Sequence, residues 1–295
     1  MTGSLRVAVV GTGRMGAAMV GRLAGAGHAV SVYNRTRDKA EAVASQHHAA
    51  VAPTAREAVR DVDVVVVSLA DDAAVRSAYL GPHGLVAGLA SGQVVAETST
   101  VDPETVRELA GAVAARGAQL IDTPVSGSVS TVEAGGLLVM AGGDVQALDR
   151  ARPVLEAFAT RIVHLGDLGA GATMKLVVNA MVHALNAALS EALVLAERAG
   201  IDREAAYDVI ASSAVAAPFV AYKRESFLHP EQAPVAFALD LVAKDLALAD
   251  ALARRLGAPM PLLAANREVV RAAVEAGLGS ADLSALAILH REGLG

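Results

Sequence analysis

The strongest constraint on the fold is a change of pattern part-way along the chain. Up to about residue 166, short β-branched apolar runs alternate with helical patterns, and beyond it the pattern is helical only. Runs such as Val64 to Val67 are apolar at every position, which is typical of parallel strands buried on both faces. Strand–helix alternation of this kind predicts a doubly wound parallel sheet, the Rossmann fold.

We therefore predict two domains, an α/β nucleotide-binding domain over residues 1–166 and an all-α domain over residues 167–295. The strands expected in the first domain are Arg6–Val10, Ala29–Tyr33, Val62–Leu69, Gln93–Glu97, Gln119–Asp122, Leu137–Ala141 and Arg161–His164. The helices expected between them are Met15–Ala26, Arg37–Ser45, Ala73–Leu80, Pro103–Arg116 and Val145–Ala159. The helices expected in the second domain are Ala172–Ala199, Arg203–Ser213, Phe237–Leu256, Pro261–Ala276 and a shorter one from Ala281.

Composition excludes several classes of protein. Hydrophobic residues make up 54% and charged residues 19%, so we expect a packed protein and not a disordered one. The net charge of −6, with no Lys/Arg-rich run, argues against a nucleic-acid partner. Cysteine is absent, which excludes disulfides and thiol chemistry.

Two apolar stretches bear on membranes and targeting. The first, Val7 to Val10, is broken at once by glycines, so we do not expect a signal peptide. The second, Met174 to Ala196, contains polar residues that favour a buried helix over a membrane span. A cytoplasmic protein with no membrane partner is the resulting expectation.

A glycine-rich motif follows the first predicted strand and opens a helix. The segment from Gly11 to Gly16 fits G-x-G-x-x-G, and we expect all of it to contact a dinucleotide. The first glycine permits the tight turn, the second lets the backbone approach a pyrophosphate, and the third lets helix and strand pack closely. The six candidate cofactor residues are Gly11, Thr12, Gly13, Arg14, Met15 and Gly16.

The residues after the second strand indicate which dinucleotide binds. An NAD site usually has a carboxylate there for the ribose 2′-hydroxyl, whereas this chain has Asn34, Arg35 and Thr36. A guanidinium pairs with a phosphate in a fork and stacks on adenine, so we predict NADP(H). The alternative is that Asn34 and Thr36 only cap the next helix. Open α/β sheets bind ligands at their carboxyl edge, which adds the later strand ends with Leu69, Ala70 and Thr100.

A third feature is the block from Asp122 to Gly143, in which a strand ends in the small-residue turn from Pro124 to Gly127. Backbone N–H groups and a hydroxyl in such a turn are free to meet a ligand anion. With this block, the Gly11–Gly16 motif, the Gly166–Asn179 block and the Lys244-Asp245-Leu246 run, the chain resembles the β-hydroxyacid dehydrogenases over nearly its whole length.

That resemblance implies hydride transfer between a nicotinamide and a small β-hydroxy acid or its semialdehyde or oxo acid. It implies Lys175 as the general acid or base, Asn179 as the residue that orients Lys175 or holds the substrate oxygen, and a carboxylate of the substrate held by Ser126, Gly127 and Ser128. Lys244 would close the site near the nicotinamide end.

The residues alone leave alternatives to these roles. Lys175 starts a very apolar helix, where a lysine often extends its ammonium to solvent, although Asn179 and Asn186 fall on the same helix face. Lys244 could form an exposed helix pair with Asp240. The histidines, His164 and His183 included, lack ligand spacing, so we predict no metal site.

The chain departs from the pattern of the family mainly in the loop that would bind the acid. These departures leave the substrate class open, and they comprise Ala70, Ser128, Ser130, Thr131, Gly136 and Val178. Two other functions remain as alternatives, an imine reductase-like enzyme and a non-catalytic dinucleotide-binding protein. Lys175 argues against the first, because imine reductases generally carry Asp or Tyr there. The long, Ala-rich helix of the second domain predicts a homodimer or a higher homo-oligomer.

Overall fold

A computed structural model describes residues 3–293, and in it the chain divides into two units, Met1–Lys175 and Leu176–Gly295. The main sheet of the first unit has six strands, in the order β3-β2-β1-β4-β5-β6, and all neighbouring strands are parallel. In chain order they are β1 (Arg6–Val10), β2 (Ala29–Tyr33), β3 (Ala50–Val51), β4 (Val64–Val67), β5 (Val94–Glu97) and β6 (Gln119–Asp122). The order reverses between β1 and β4, which is where such sheets bind ligands.

The sheet is buried on both faces, as the continuous apolar runs predict. In β4, Val64 and Val66 pack into one core with Leu23, and Val65 and Val67 pack into a second core on the opposite face. This arrangement follows from the two-residue repeat of a strand. The helices of this unit are α1 (Arg14–Gly25), α2 (Arg37–His47), α3 (Ala55–Ala58), α4 (Asp72–Leu80), α5 (Pro103–Ala114), α6 (Val129–Glu133) and α7 (Val145–Leu155).

A separate three-stranded sheet completes the first unit. It contains β7 (Val125–Ser126), β8 (Leu137–Ala141) and β9 (Ala159–His164), with β7 antiparallel to β8 and β8 parallel to β9. The predicted helix over Val145–Ala159 is too long at its end, because α7 stops at Leu155 and Ala159 already pairs with Leu137 of β8.

The second unit is helical throughout its described part, residues 176–293, in agreement with the predicted all-α domain. Its core is built around large buried side chains that include Tyr207 and Phe227. Its helices are α8 (Ala170–Arg198, which starts in the first unit), α9 (Arg203–Ala211), α10 (Pro218–Tyr222), α11 (Arg224–Leu228), α12 (Leu239–Leu256), α13 (Pro261–Ala273) and α14 (Leu286–Glu292).

The 29-residue helix α8 is long and apolar enough to cross a membrane by length and composition. Half of its most apolar 18-residue window is buried inside the protein, however, and core helices of soluble proteins pass the same test. The helix therefore gives only weak evidence for a membrane span, and the cytoplasmic location stays a prediction.

The predicted fold class is confirmed: a parallel Rossmann sheet followed by a helical domain with a long first helix. Among the α-helices and β-strands of residues 3–293, the prediction missed only short ones, because two to five residues are too few to show a helical or strand period. These are β3, β7, α3, α6, α10 and α11.

Candidate active site

The glycine-rich loop has the backbone geometry that a dinucleotide needs. Gly11 has a φ of +101°, and a Cβ there would overlap the carbonyl oxygen of Ser68. A Cβ on Gly16 would overlap the carbonyl oxygen of Gly11, so helix α1 passes against the loop. At Gly13 a Cβ would meet nothing within 4 Å, which leaves that side of the loop open to a ligand.

The amino end of α1 suits an anion. Its N-cap, Gly13, supplies no side-chain hydrogen bond, and no acidic residue lies in the first turn. The hydroxyl of Thr12 is buried and makes no hydrogen bond with the rest of the described chain. An uncapped helix start with a buried hydroxyl beside it fits the pyrophosphate of a dinucleotide.

Asn34 supports the loop and does not only cap a helix. Its side-chain oxygen accepts from the N–H of Thr12 at 3.1 Å, and its amide nitrogen donates to the carbonyl oxygen of Thr36 at 2.9 Å. Thr36 is the N-cap of α2, but its side chain makes no capping hydrogen bond. Arg35 lies between them and is exposed. Arg35 therefore lies in a segment that is hydrogen-bonded to the glycine-rich loop through Asn34.

The ends of β4 and β5 are joined by a short hydrogen-bond chain. The N–H of Leu69 donates to the hydroxyl of Ser99 at 2.8 Å, and the N–H of Ser99 donates to a carboxyl oxygen of Glu97 at 2.8 Å. Glu97 is 1% exposed, and burial raises the pKa of its carboxyl to about 7. This buried acid thus joins the ends of β4 and β5, both of which we expect to lie at the cofactor. Of the neighbouring candidates, Ala70 is exposed and Thr100 is half-buried.

The predicted acid-binding loop divides into two parts. Ser126 ends β7, and Gly127, with a φ of +140°, is exposed. Ser128 instead caps helix α6: its hydroxyl accepts from the N–H of Thr131, and its own N–H donates to the hydroxyl of Thr131 at 3.1 Å. Thr131, one of the departures from the family pattern, therefore builds a capping box that engages both polar groups of Ser128.

A polar stripe runs along the first half of α8. Lys175 is half-buried, Asn179 is buried one turn later and His183 is buried one turn after that, all on one helix face. Asn186 also lies on this face, where its amide donates to the carbonyl oxygen of Leu283 at 3.0 Å. That bond gives Asn186 a structural partner.

Asp245 gathers polar groups of the second unit. The amide of Asn179 donates to one of its carboxyl oxygens at 2.6 Å, and the ammonium of Lys244 lies 3.0 Å from the other. The Nε2 atom of His183 is 3.6 Å from the Asn179-bound oxygen, and the His183 ring lies 5.7 Å from that of Phe237. Asp245 is 1% exposed, whereas the Lys244 side chain is 22% exposed, so Lys244 is the part of this cluster that reaches solvent.

Comparison with known proteins places these features in a family. Residues 6–166 match the family model described as the NAD binding domain of 6-phosphogluconate dehydrogenase. Residues 169–289 match a second family model, described as NAD-binding of NADP-dependent 3-hydroxyisobutyrate dehydrogenase. The chain belongs to the β-hydroxyacid dehydrogenase family. It is accordingly an oxidoreductase that uses a nicotinamide dinucleotide.

Three similar proteins illustrate this membership. Glyoxylate/succinic semialdehyde reductase 1 of Arabidopsis thaliana is 32% identical over 282 residues, which cover 96% of this chain and 97% of that protein. The structure of 3-hydroxyisobutyrate dehydrogenase from Salmonella typhimurium has a TM-score of 0.89 and 29% identity, and the match covers 97% of this chain and 100% of that one. The structure of Psf3 in complex with NADP+ and 2-OPP has a TM-score of 0.88 and 28% identity, covering 96% of this chain and 99% of that one.

Sequence reasoning assigned no role to three buried polar groups: Glu97 and His183, which are described above, and Asp122, which is fully buried at the end of β6. For His183 a signal was present, since it follows Asn179 by four residues on the same helix face. For the two acids the signal was weaker. Each is the last residue of an apolar strand, and the strand ends are neighbours in the sheet. Only the parallel pairing of β5 with β6 brings them side by side.

Proposed function

We propose that this family member is an NADP(H)-dependent reductase of a small semialdehyde or oxo acid, which also oxidises the corresponding β-hydroxy acid. We assign residues 1–166 to the binding of the cofactor and residues 167–295 to the substrate and to oligomerisation. The observation that carries the proposal is the polar face in the first half of α8, where Lys175 and Asn179 lie one turn apart between apolar neighbours. The semialdehyde named for the Arabidopsis relative has the chemistry we propose.

The nicotinamide, when bound, supplies or accepts the hydride. The residues of the chain handle the proton and the orientation. In the reducing direction the ammonium of Lys175 donates a proton to the carbonyl oxygen as that oxygen gains negative charge; in the oxidising direction the neutral amine takes the hydroxyl proton. Asn179, anchored by Asp245, orients the lysine or the reacting oxygen. Ser126 and Gly127 hold the substrate carboxylate through hydroxyl and N–H groups, and Lys244 is assigned to substrate binding.

The function is tested by NADPH consumption with a panel of carbonyl compounds. The panel contains glyoxylate, succinic semialdehyde, tartronate semialdehyde, methylmalonate semialdehyde and cyclic imines. We expect turnover with at least one acid-bearing carbonyl compound. Turnover confined to the imines would favour the imine reductase alternative, and tight NADPH binding with no turnover would favour a non-catalytic protein.

Arg35 is proposed to select NADP(H) over NAD(H) by pairing with the 2′-phosphate. Loss of a charge-assisted, two-pronged hydrogen bond costs about 1.5–3 kcal/mol. Arg35→Ala should therefore weaken NADPH binding roughly tenfold to a hundredfold and leave NADH binding nearly unchanged. The measurement is the dissociation constant of each cofactor, from nicotinamide fluorescence.

A neighbouring arginine provides the matched control. Arg37 is also exposed at the start of α2, but its guanidinium is already paired with Glu41 at 2.6 Å. We expect Arg37→Ala to change NADPH binding less than threefold. Equal losses in the two variants, or a wild-type protein that binds NADH as tightly as NADPH, would contradict the assignment to Arg35.

A homodimer or higher homo-oligomer is proposed from the surface of α8. Large apolar side chains are exposed along it, with Met181 at 72% and Leu195 at 71%, and small residues such as Ala188 lie between them. Light scattering after size exclusion should give at least twice the chain mass of 29.8 kDa. Met181→Glu should lower that mass, and a purely monomeric wild type would refute the proposal.

A further inference from the structure

Helix α8 begins without a capping side chain of its own. The residue before its first position is Gly169, with a φ of +94°, which has no side chain to accept hydrogen bonds. The first N–H groups of any helix have no partner within the helix and need acceptors from elsewhere. Lys175 lies in the second turn of α8. The group that accepts from the first N–H groups of α8 therefore also fixes the position of the Lys175 backbone.

The acceptor comes from a distant part of the chain. One carboxyl oxygen of Asp122 accepts from the N–H of Gly169 at 2.8 Å, and the other accepts from the N–H of Ala172 at 2.6 Å. Asp122 is fully buried, and burial raises the pKa of its carboxyl while the amide hydrogen bonds act against that rise. A Ser or Asp placed next to the helix would cap it without burying a remote carboxylate.

Asp122 is also fixed through its backbone. Its N–H donates to the carbonyl oxygen of Gly142 at 3.1 Å, and the N–H of Gly142 donates to the carbonyl oxygen of Asp122 at 2.8 Å. The carboxylate fits only because its neighbours lack side chains: a Cβ on Gly171 would lie 3.0 Å from one of its oxygens, and a Cβ on Gly142 would lie 2.5 Å from the other. The residue therefore connects the end of β6, the end of β8 and the start of α8.

We infer that Asp122 is a positioning residue, which holds Lys175 in register with the loop from Pro124 to Ser128. The loop starts two residues after Asp122, and Lys175 follows the anchored Ala172 by three residues. The same side chain thus sets the distance between the group that handles the proton and the groups that hold the substrate carboxylate. This inference rests on the proposed function, because it assigns a consequence to the roles of Lys175 and the loop.

The test compares two variants of Asp122 with a matched cap elsewhere. Asp144 caps α7 by accepting from the N–H of Ala147 at 2.8 Å, and α7 carries no candidate site residue. We expect Asp122→Ala to lower kcat about tenfold to a hundredfold, as small misplacements of reacting groups do, with the NADPH dissociation constant within twofold of wild type. The kcat of Asp122→Asn should lie between those of Asp122→Ala and wild type, since its amide oxygen can still accept a hydrogen bond from one of the two N–H groups. Asp144→Ala should lower the melting temperature, because it removes a helix cap, but should keep kcat within twofold of wild type.

Hydrogen exchange gives a readout that needs no substrate. The amides of Gly169 and Ala172 should exchange faster in Asp122→Ala than in wild type, and at the wild-type rate in Asp144→Ala. A kcat in both Asp122 variants within twofold of wild type, or an equal loss of kcat in Asp144→Ala, would overturn the inference. Failure of the proposed function has a different signature, because the wild-type protein itself would then turn over none of the carbonyl compounds.

Discussion

Replacement of Lys175 with methionine is expected to lower turnover by about two to four orders of magnitude, the usual contribution of a general acid or base. Methionine approximates the unbranched stem of lysine but has no amine and cannot donate or accept the proton. Cofactor binding should persist, because most of the residues proposed to hold the dinucleotide lie in the loop between β1 and α1, at the start of α1 and just after β2, β4 and β5, away from α8 in the sequence. Steady-state kinetics with the best carbonyl substrate, together with NADPH titration, measure both quantities.

The loss should appear in kcat more than in KM, since proton donation matters most in the transition state. Lys175→Arg is the informative companion, because a guanidinium keeps the positive charge but holds its proton too firmly to donate it. We expect it to be nearly as slow as the methionine variant. Recovery of more than a tenth of wild-type kcat by arginine would mean that charge alone suffices and would remove the general acid role.

The long elements of this fold could be predicted because their patterns are local. Continuous valine runs identify buried parallel strands, and the glycine motif requires a strand before it and a helix after it. The positions of the shortest elements depend on distant partners. The two-residue strand β3, for example, exists because Ala50 pairs with Ser31 of β2, and no period in the sequence marks it.

The candidate site also contains residues that the sequence predicts and contacts that it does not. The glycine-rich loop is predicted from its motif, which is visible within one turn of the sequence, whereas Lys175 and Asn179 are predicted from the family resemblance, with which their spacing along one helix agrees. The supporting bonds join residues that are far apart in the chain, such as Asn179 with Asp245 and Asp122 with Gly169. Tertiary packing creates these pairs, so a single sequence cannot reveal them. The engagement of Ser128 in the α6 cap also needed the observed geometry, because α6 itself was not predicted.

The second large effect concerns stability and the buried carboxyl of Glu97. Burial raises its pKa from 4.5 to about 7, so the folded protein holds a proton there that the unfolded chain releases. Below pH 4.5 both states are protonated and the stability is fully present. Between pH 4.5 and 7 only the unfolded state ionises, so the free energy of unfolding falls as the pH rises. By pH 8 the shift corresponds to a loss of about 3 kcal/mol.

Glu97→Gln should remove this dependence, because glutamine keeps an oxygen that can accept from the N–H of Ser99 and cannot ionise. Relative to wild type, the variant should gain about 2–3 kcal/mol of unfolding free energy between pH 5 and pH 8. Urea unfolding of both proteins at the two pH values measures the gain. Glu108→Gln is the control, since Glu108 lies in an exposed pair with Arg76, where such a change has little effect on stability. If the stability difference between Glu97→Gln and wild type were the same at pH 5 and pH 8, the carboxyl would have to be ionised in the folded protein throughout that range. The bond from Ser99 would then be made to a carboxylate, and the joined ends of β4 and β5 would carry a buried negative charge at the sheet edge that we propose for the cofactor.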